Sequence, residues 1–130
     1  MSGGTMGGWG SGNFDEDTAA DHLSLVTGRL VREVEDAVAG APGTLEPDEY
    51  WGVAVPCNVE LLHLIASRGW AGAVLPAAAR VREWKAAFLA AWDGAIDGLD
   101  PSPEYRAQRR GVLVATFDAL AELAERGAQS

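Results

Sequence analysis

The sequence predicts an all-α fold: a single-domain bundle of four main helices with a glycine- and tryptophan-rich N-terminal lasso. Two observations support this fold class. Apolar residues recur at steps of three and four over long stretches, and glycine and proline cluster between those stretches. No stretch shows the alternation of apolar and polar residues that is typical of a strand. With 130 residues the chain is one domain, large enough to bury a single core.

The first helix is predicted over residues 17–39. Its apolar stripe continues in phase through Gly28, which favours one helix over two although glycine weakens a helix interior. The stripe consists of Leu23, Val26, Leu30, Val34 and Ala37. Residues 40–43, Gly-Ala-Pro-Gly, form a helix stop.

The second helix is predicted over residues 47–67. Pro47 suits a first turn, whereas Pro56 removes one backbone hydrogen bond and clashes with the Gly52 carbonyl. We therefore expect this helix to be either kinked or split at Pro56. Beyond Pro56 its residues are apolar on nearly every side, which predicts the most buried helix of the bundle. These residues are Val59, Leu61, Leu62, Leu64, Ile65 and Ala66.

The third and fourth helices are predicted over residues 76–98 and 104–126. Trp84 and Trp92 lie eight residues apart on one face of the third helix, which favours a place in the core and leaves an aromatic-lined interface as the alternative. The predicted buried face of the fourth helix consists of Tyr105, Val112, Leu113, Thr116, Phe117, Leu120 and Leu123.

The N-terminal lasso combines four glycines within residues 7–12 with two large anchors, Trp9 and Phe14. Glycine allows sharp turns and close backbone approach, so we expect a loop held at these two points. Asp15, Glu16 and Asp17 follow, as acidic residues do where a helix begins.

Residues 6–21 resemble the opening of the bacterial domain of unknown function 4259. Its members begin Met-Gly-x-Trp-Gly-x-Gly-x-Phe, then an acidic cluster and Ala-x-Asp; this chain reads Met-Gly-Gly-Trp-Gly-Ser-Gly-Asn-Phe-Asp-Glu-Asp-Thr-Ala-Ala-Asp. Glu16 stands where Asn is common in the family. The resemblance implies a related helical fold and no particular activity. It also implies that the domain is residues 6–130, with residues 1–5 an upstream start or tag remnant.

The excess negative charge is confined to the first half of the chain. Residues 1–65 contain 11 acidic residues and two arginines, whereas residues 66–130 contain eight residues of each sign. A net charge of −9 argues against nucleic acid, because phosphate binding needs a basic face, and suits a basic protein partner or solubility alone. The basic residues Arg80, Arg82, Arg106, Arg109 and Arg110 could pair with the acidic half within one molecule or across a homodimer.

The number of cysteines and the hydropathy of the chain predict where the protein is located. Cys57 is the single cysteine, so no internal disulfide forms. The N-terminus lacks a signal-peptide layout, and no apolar run approaches the length of a membrane span. We expect a cytoplasmic protein without membrane contact.

Two groups of residues suggest chemistry. Asp15, Glu16, Asp17 and Asp21 could bind a hard cation such as Mg²⁺ or Ca²⁺, although their spacing differs from an EF-hand and helix capping is the favoured interpretation. Cys57 and His63, with Asn58 as an orienting group, could form a thiol nucleophile and base, but their spacing places them on different faces of a straight helix. Cys57 is better explained as a small core residue.

The sequence thus favours a non-catalytic protein-interaction module, for which a toxin-neutralising immunity-type protein is one analogy. The predicted binding residues are Trp9, Phe14, Asp15, Asp17 and Asp21. No cofactor is predicted. The alternative is a small metal-assisted enzyme whose ligands come from the acidic cluster and His22.

Overall fold

The computed structural model describes residues 10–129 and consists of four helices and two short 3₁₀ turns. The helices are α1 (Asp17–Val38), α2 (Tyr50–Ser67), α3 (Ala78–Ala95) and α4 (Pro103–Gln129), and the 3₁₀ turns are Pro42–Leu45 and Ile96–Leu99. Residues 10–129 contain no strand. The predicted all-α class with four main helices is confirmed. Residues 7–9 of the predicted lasso, including Trp9, lie outside the described residues.

The helices form a ring in which α1 contacts α2 and α3, and α4 contacts the same two helices. The helices α2 and α4 run side by side in the same direction. Val53 near the start of α2 shares a surface cavity with Tyr105 of α4, and His63 further along α2 shares another with Ala119. The α1–α2 and α3–α4 connections therefore lie at the same end of the bundle.

The core lies between the four helices and contains large side chains from α3 and α4. Trp84, Phe88 and Trp92 of α3 are buried, which confirms the core interpretation of the two tryptophans. Phe88 packs on Phe117 of α4 with ring centroids 5.5 Å apart. Burial of such side chains contributes about 1.5 to 3 kcal/mol each.

One of the two predicted alternatives at Pro56 is excluded, and the start of the second helix differs from prediction. The helix is continuous through Pro56, so it is not split there. It also begins at Tyr50 rather than at Pro47, which lies in the preceding turn. At Gly52 the helix approaches this turn so closely that a Cβ atom would lie 1.8 Å from the Glu46 carbonyl oxygen. The absence of a side chain at residue 52 is what allows the start of α2 to pack on the turn.

The prediction that α2 is the most buried helix was right in the number of buried residues, six of 18 and more than in α1 or α3, but wrong for two of its leucines. Leu61 and Leu64 are 45% and 54% exposed, because α1 and α4 cover two sides of α2 and leave a third side open. The predicted buried face of α4 was partly wrong for the same reason. Tyr105 and Val112 are 53% and 51% exposed, whereas Leu113, Phe117 and Leu120 are fully buried. Apolar residues beyond the core stripe therefore remain on one outer face.

Candidate functional site

The acidic cluster begins with a glycine turn that folds around one carboxylate. Asp15 Oδ2 accepts a hydrogen bond of 2.8 Å from the Gly12 N–H. A Cβ atom at Gly10 or Gly12 would lie within 3 Å of that same oxygen, so both glycines permit the turn. Glu16 occupies the N-cap position of α1 without a side-chain capping bond. The predicted capping role is wrong for both residues: the Asp15 carboxylate orders the turn instead.

Phe14, which directly precedes Asp15, stacks on a residue far along the chain. Its ring lies parallel to that of Trp70, with centroids 4.0 Å apart and planes 13° apart. The Arg68 guanidinium lies 5.0 Å from the centroid of the Trp70 ring, a cation–π contact. Phe14 is half-buried by this stack and is therefore engaged inside the molecule.

The connection that contains Trp70 is also bonded directly to α1. Ser24 Oγ donates to the Gly72 carbonyl over 2.6 Å, and the Val74 N–H donates to the buried Thr27 Oγ1 over 2.9 Å. Gly72 has a φ of +97°, and a Cβ atom there would lie 2.1 Å from the Ala20 carbonyl oxygen. The residues that precede α1, its first half and the α2–α3 connection thus pack as one unit.

The other predicted binding residues differ in their placement. Asp17 and Asp21 are exposed on the first turns of α1, as is His22, while Trp9 lies outside the described residues. Within residues 10–129, no three or more His, Cys, Asp or Glu side chains are grouped so that they could hold a metal ion. Asp17 and Asp21, like Glu16, have no ion pair with another described residue, and they do not form a ligand set.

The residues of the candidate thiol site, Cys57, His63 and Asn58, do not share one surface cavity. Cys57 is exposed, so its interpretation as a core residue was wrong. His63 lines a different surface cavity from those that Cys57 lines. The buried Asn58 Nδ2 donates to the Leu30 carbonyl and to Glu33 Oε1, at 3.2 and 2.9 Å, which joins α2 to α1. The bond from Asn58 to Glu33, and then the bond from Arg29, lower the pKa of Glu33.

Five of the ten basic side chains pair with acids of the second half of the chain. The pairs within that half are Arg80–Glu83, Arg82–Glu125, Lys85–Asp118, Arg106–Asp97 and Arg110–Asp93. The exception is Arg80, which also makes a two-point ion pair with Glu35 of α1 and lowers the pKa of that carboxyl. The expected pairing of arginines with the acidic first half is thus confirmed for Arg80, whereas Arg106 and Arg110 pair elsewhere.

Half of the twelve remaining carboxylates lie where the two short connections meet. Six of them lie at this end of the bundle without an ion pair to any described residue, and we call this region the acidic end. It comprises Asp36, Glu46, Asp48, Glu49, Asp100 and Glu104. Glu46 is half-buried and the other five are exposed. Their mutual repulsion is relieved most directly by a cationic group from outside.

An open cavity of about 620 Å³ lies within the acidic end. Pro47 and Val53 line it from the α1–α2 side, and Leu99, Pro101 and Tyr105 line it from the α3–α4 side. A neighbouring hollow of about 520 Å³ is lined by Asp48, Glu49 and Tyr50. Tyr50 and Tyr105 are 74% and 53% exposed. Exposed tyrosines beside an apolar hollow are typical of surfaces that bind other proteins.

Comparison with protein-family models, curated proteins and solved structures gives no match. The resemblance of residues 6–21 to domain 4259 therefore stays a prediction. None of the described helices has the length and apolar character needed to cross a membrane.

Sequence reasoning missed the acidic end because its members come from both halves of the chain. Asp100 and Glu104 belong to the half whose net charge is zero, so a count by halves hides them. Their neighbours Asp97 and Asp93 are paired with arginines, which the sequence does not reveal. One feature of the sequence could have revealed the acidic end: acidic residues flank prolines in both short connections.

Proposed function

We propose that this chain is a non-catalytic protein-interaction module that binds a basic protein partner through its acidic end. The observation that carries the proposal is that six carboxylates without ion pairs to any described residue lie at the same end of the bundle as a largely apolar cavity and two exposed tyrosines. A protein that neutralises a basic toxin is one instance of this class.

The electrostatics of the acidic end define the partner. Asp48 and Glu49 line the neighbouring hollow. Asp100 and Glu104 are chain neighbours of Pro101 and Tyr105, which line the cavity from the α3–α4 side, so lysines or arginines of a partner can reach carboxylates beside both walls. Charge complementarity of this kind accelerates encounter and is weakened by salt. Phosphate groups are repelled by the same surface, which argues against a nucleic-acid ligand.

Arg109 sets a limit on how the partner lies. It is the cation on the cavity wall and is half-exposed. A basic side chain is repelled at that point, so the positive groups of the partner lie towards the connections, and its apolar groups lie over Val53 and Tyr105. The site therefore selects a partner with a basic rim and an apolar or aromatic centre.

The test compares two triple variants that each remove three negative charges. The first changes the acidic end, Asp48→Asn with Glu49→Gln and Asp100→Asn; the control changes the start of α1, Glu16→Gln with Asp17→Asn and Asp21→Asn. Tagged wild-type protein and both variants are used to capture partners from the native lysate at low and high salt. We expect one basic protein to be retained by the wild type and the control and lost by the first variant.

Three results would contradict the proposal. Retention of no protein by the wild type overturns the interaction function. Equal loss in both variants shows that net charge alone governs binding. Loss in the α1 variant alone moves the site to Asp17 and Asp21, the residues that the sequence predicts. Melting curves of all three proteins establish that the variants are folded.

A further inference from the structure

A second surface, separate from the carboxylates of the acidic end, lies between the outer sides of α2 and α4. It is a groove of about 380 Å³, which we call the α2–α4 groove. Leu61 and Leu64 line it from α2, and Val112 lines it from α4. These three aliphatic side chains are each about half exposed to solvent. Covering them removes apolar area from water, which is the main favourable term in protein association.

The groove also contains one charge of each sign. Glu60 lies on the α2 wall and Arg109 on the α4 wall. The two line the same cavity without forming an ion pair with each other or with another described residue. Both charges are therefore available to a molecule that covers the groove.

We propose that the occupant of the α2–α4 groove is a second copy of this chain. In a two-fold symmetric dimer, each residue that meets a partner residue is met in return by its own counterpart. A two-fold axis between α2 and α4, parallel to both, places α2 of each copy against α4 of the other. Glu60 of each copy then faces Arg109 of the other, and Leu61 and Leu64 face Val112.

The charge pattern favours a second copy over the basic partner of the acidic end. A basic protein would meet attraction at Glu60 and repulsion at Arg109, whereas a second copy satisfies both charges twice. The inference rests on the α2–α4 groove alone. It does not depend on the proposed function, and its test uses the purified 130-residue chain without any partner.

The first measurement is the mass of the wild-type chain by sedimentation equilibrium over a range of concentrations. We expect the mass to rise with concentration from 13.6 kDa towards twice that value. Leu64→Lys should weaken dimer formation, since it places a charge in the apolar contact. Leu25→Lys is the matched control, because Leu25 is 70% exposed on α1, outside the groove.

The second measurement uses charge reversal. Glu60→Arg alone places two arginines opposite each other at both symmetry-related contacts, and Arg109→Glu alone places two glutamates there. Each single variant should raise the dimer dissociation constant by about tenfold or more. In a mixture of the two variants, the introduced arginine faces the introduced glutamate at one contact, and the native Glu60 and Arg109 meet at the other. A mixed dimer of near wild-type affinity should therefore form.

Three outcomes would overturn the proposed dimer. A mass of 13.6 kDa at every concentration means that the groove is not covered by a second copy. A dimer that is unaffected by Leu64→Lys or by the single charge reversals uses another surface. Weakened single variants that fail to pair when mixed overturn the assigned Glu60–Arg109 contact. Circular dichroism of each variant shows whether its helices are intact.

Discussion

Phe14 and Trp70, 56 positions apart in the chain, form a parallel aromatic stack that joins the residues before α1 to the α2–α3 connection. The stack gives the opening motif a packing role. The glycine turn orders the backbone around Asp15, and the turn directs Phe14 onto Trp70. Maintaining the fold of this region therefore requires the small residues, the carboxylate and the ring together.

Replacing Phe14 by alanine should destabilise the protein by about 1 to 3 kcal/mol. An aromatic pair contributes roughly 1 kcal/mol beyond the apolar area that it buries, and the half-buried ring adds that area. The free energy of unfolding is measured by urea denaturation. Asn13→Ala is the control, because Asn13 is an exposed neighbour. Equal stability of the two variants would show that the stack contributes nothing.

The sequence predicts the four helices well because each has its own periodic stripe and its own stop. Glycine and proline around residues 40–43 and 101–103 mark two connections, and the observed bounds of α1 agree with prediction within one residue. Burial on α2 was predicted poorly for a physical reason. Local periodicity reveals that Leu61 and Leu64 are apolar, but how many neighbours cover them depends on the ring order of the helices.

Two helical glycines should respond oppositely to alanine. Gly52→Ala should destabilise the protein by about 3 kcal/mol, since its Cβ would lie 1.8 Å from the Glu46 carbonyl oxygen and the backbone must shift. Gly94→Ala should stabilise it by about 1 kcal/mol, because no atom lies within 4 Å and alanine is the better helix former. Thermal denaturation of both variants checks the sign. A stabilising Gly52→Ala would contradict the close packing of α2 on its preceding turn.

The candidate site could be predicted only in part. The excess of acids over arginines in the first half is visible in the sequence, and among those acids Glu33 and Glu35 are the two that have ion pairs with described residues. Which acids share a surface depends on the parallel course of α2 and α4, which brings the two short connections together. That arrangement arises from tertiary packing and has no signature in local sequence.

The Glu35–Arg80 ion pair should make stability depend on pH. Hydrogen bonds from Arg80 lower the folded-state pKa of Glu35 below its ordinary value of 4.5. The carboxylate form is thus favoured by folding, so the stabilisation is present above pH 4.5 and is lost as the pH falls through the lowered pKa. Glu35→Gln should cost about 1 kcal/mol or less at pH 7, because the pair is partly exposed, and nothing at low pH.

Urea denaturation between pH 7 and pH 3 measures that difference. Glu122→Gln is the control, because it removes an exposed carboxylate that has no ion pair with a described residue. If the difference in free energy of unfolding between wild type and Glu35→Gln stays constant down to low pH, the carboxylate charge is not what stabilises the contact.

The buried hydroxyl of Thr27 on α1 should be important for holding the α2–α3 connection, which contains Trp70, against α1. Its Oγ1 donates to the Leu23 carbonyl and accepts from the Val74 N–H, each over 2.9 Å. Thr27→Val keeps the shape and removes both bonds, which leaves the Val74 N–H without its acceptor and should cost about 1 to 3 kcal/mol.

Thr116→Val provides the matched comparison for Thr27→Val. The Thr116 hydroxyl donates to the Val112 carbonyl within α4 and accepts no backbone N–H from another segment, so its loss should change stability by less than about 0.5 kcal/mol. Hydrogen exchange gives a local readout, since the Val74 amide should lose protection in Thr27→Val and keep it in Thr116→Val. Unchanged protection at Val74 in both variants would show that the connection is held by the Phe14–Trp70 stack and the Ser24 contact without Thr27.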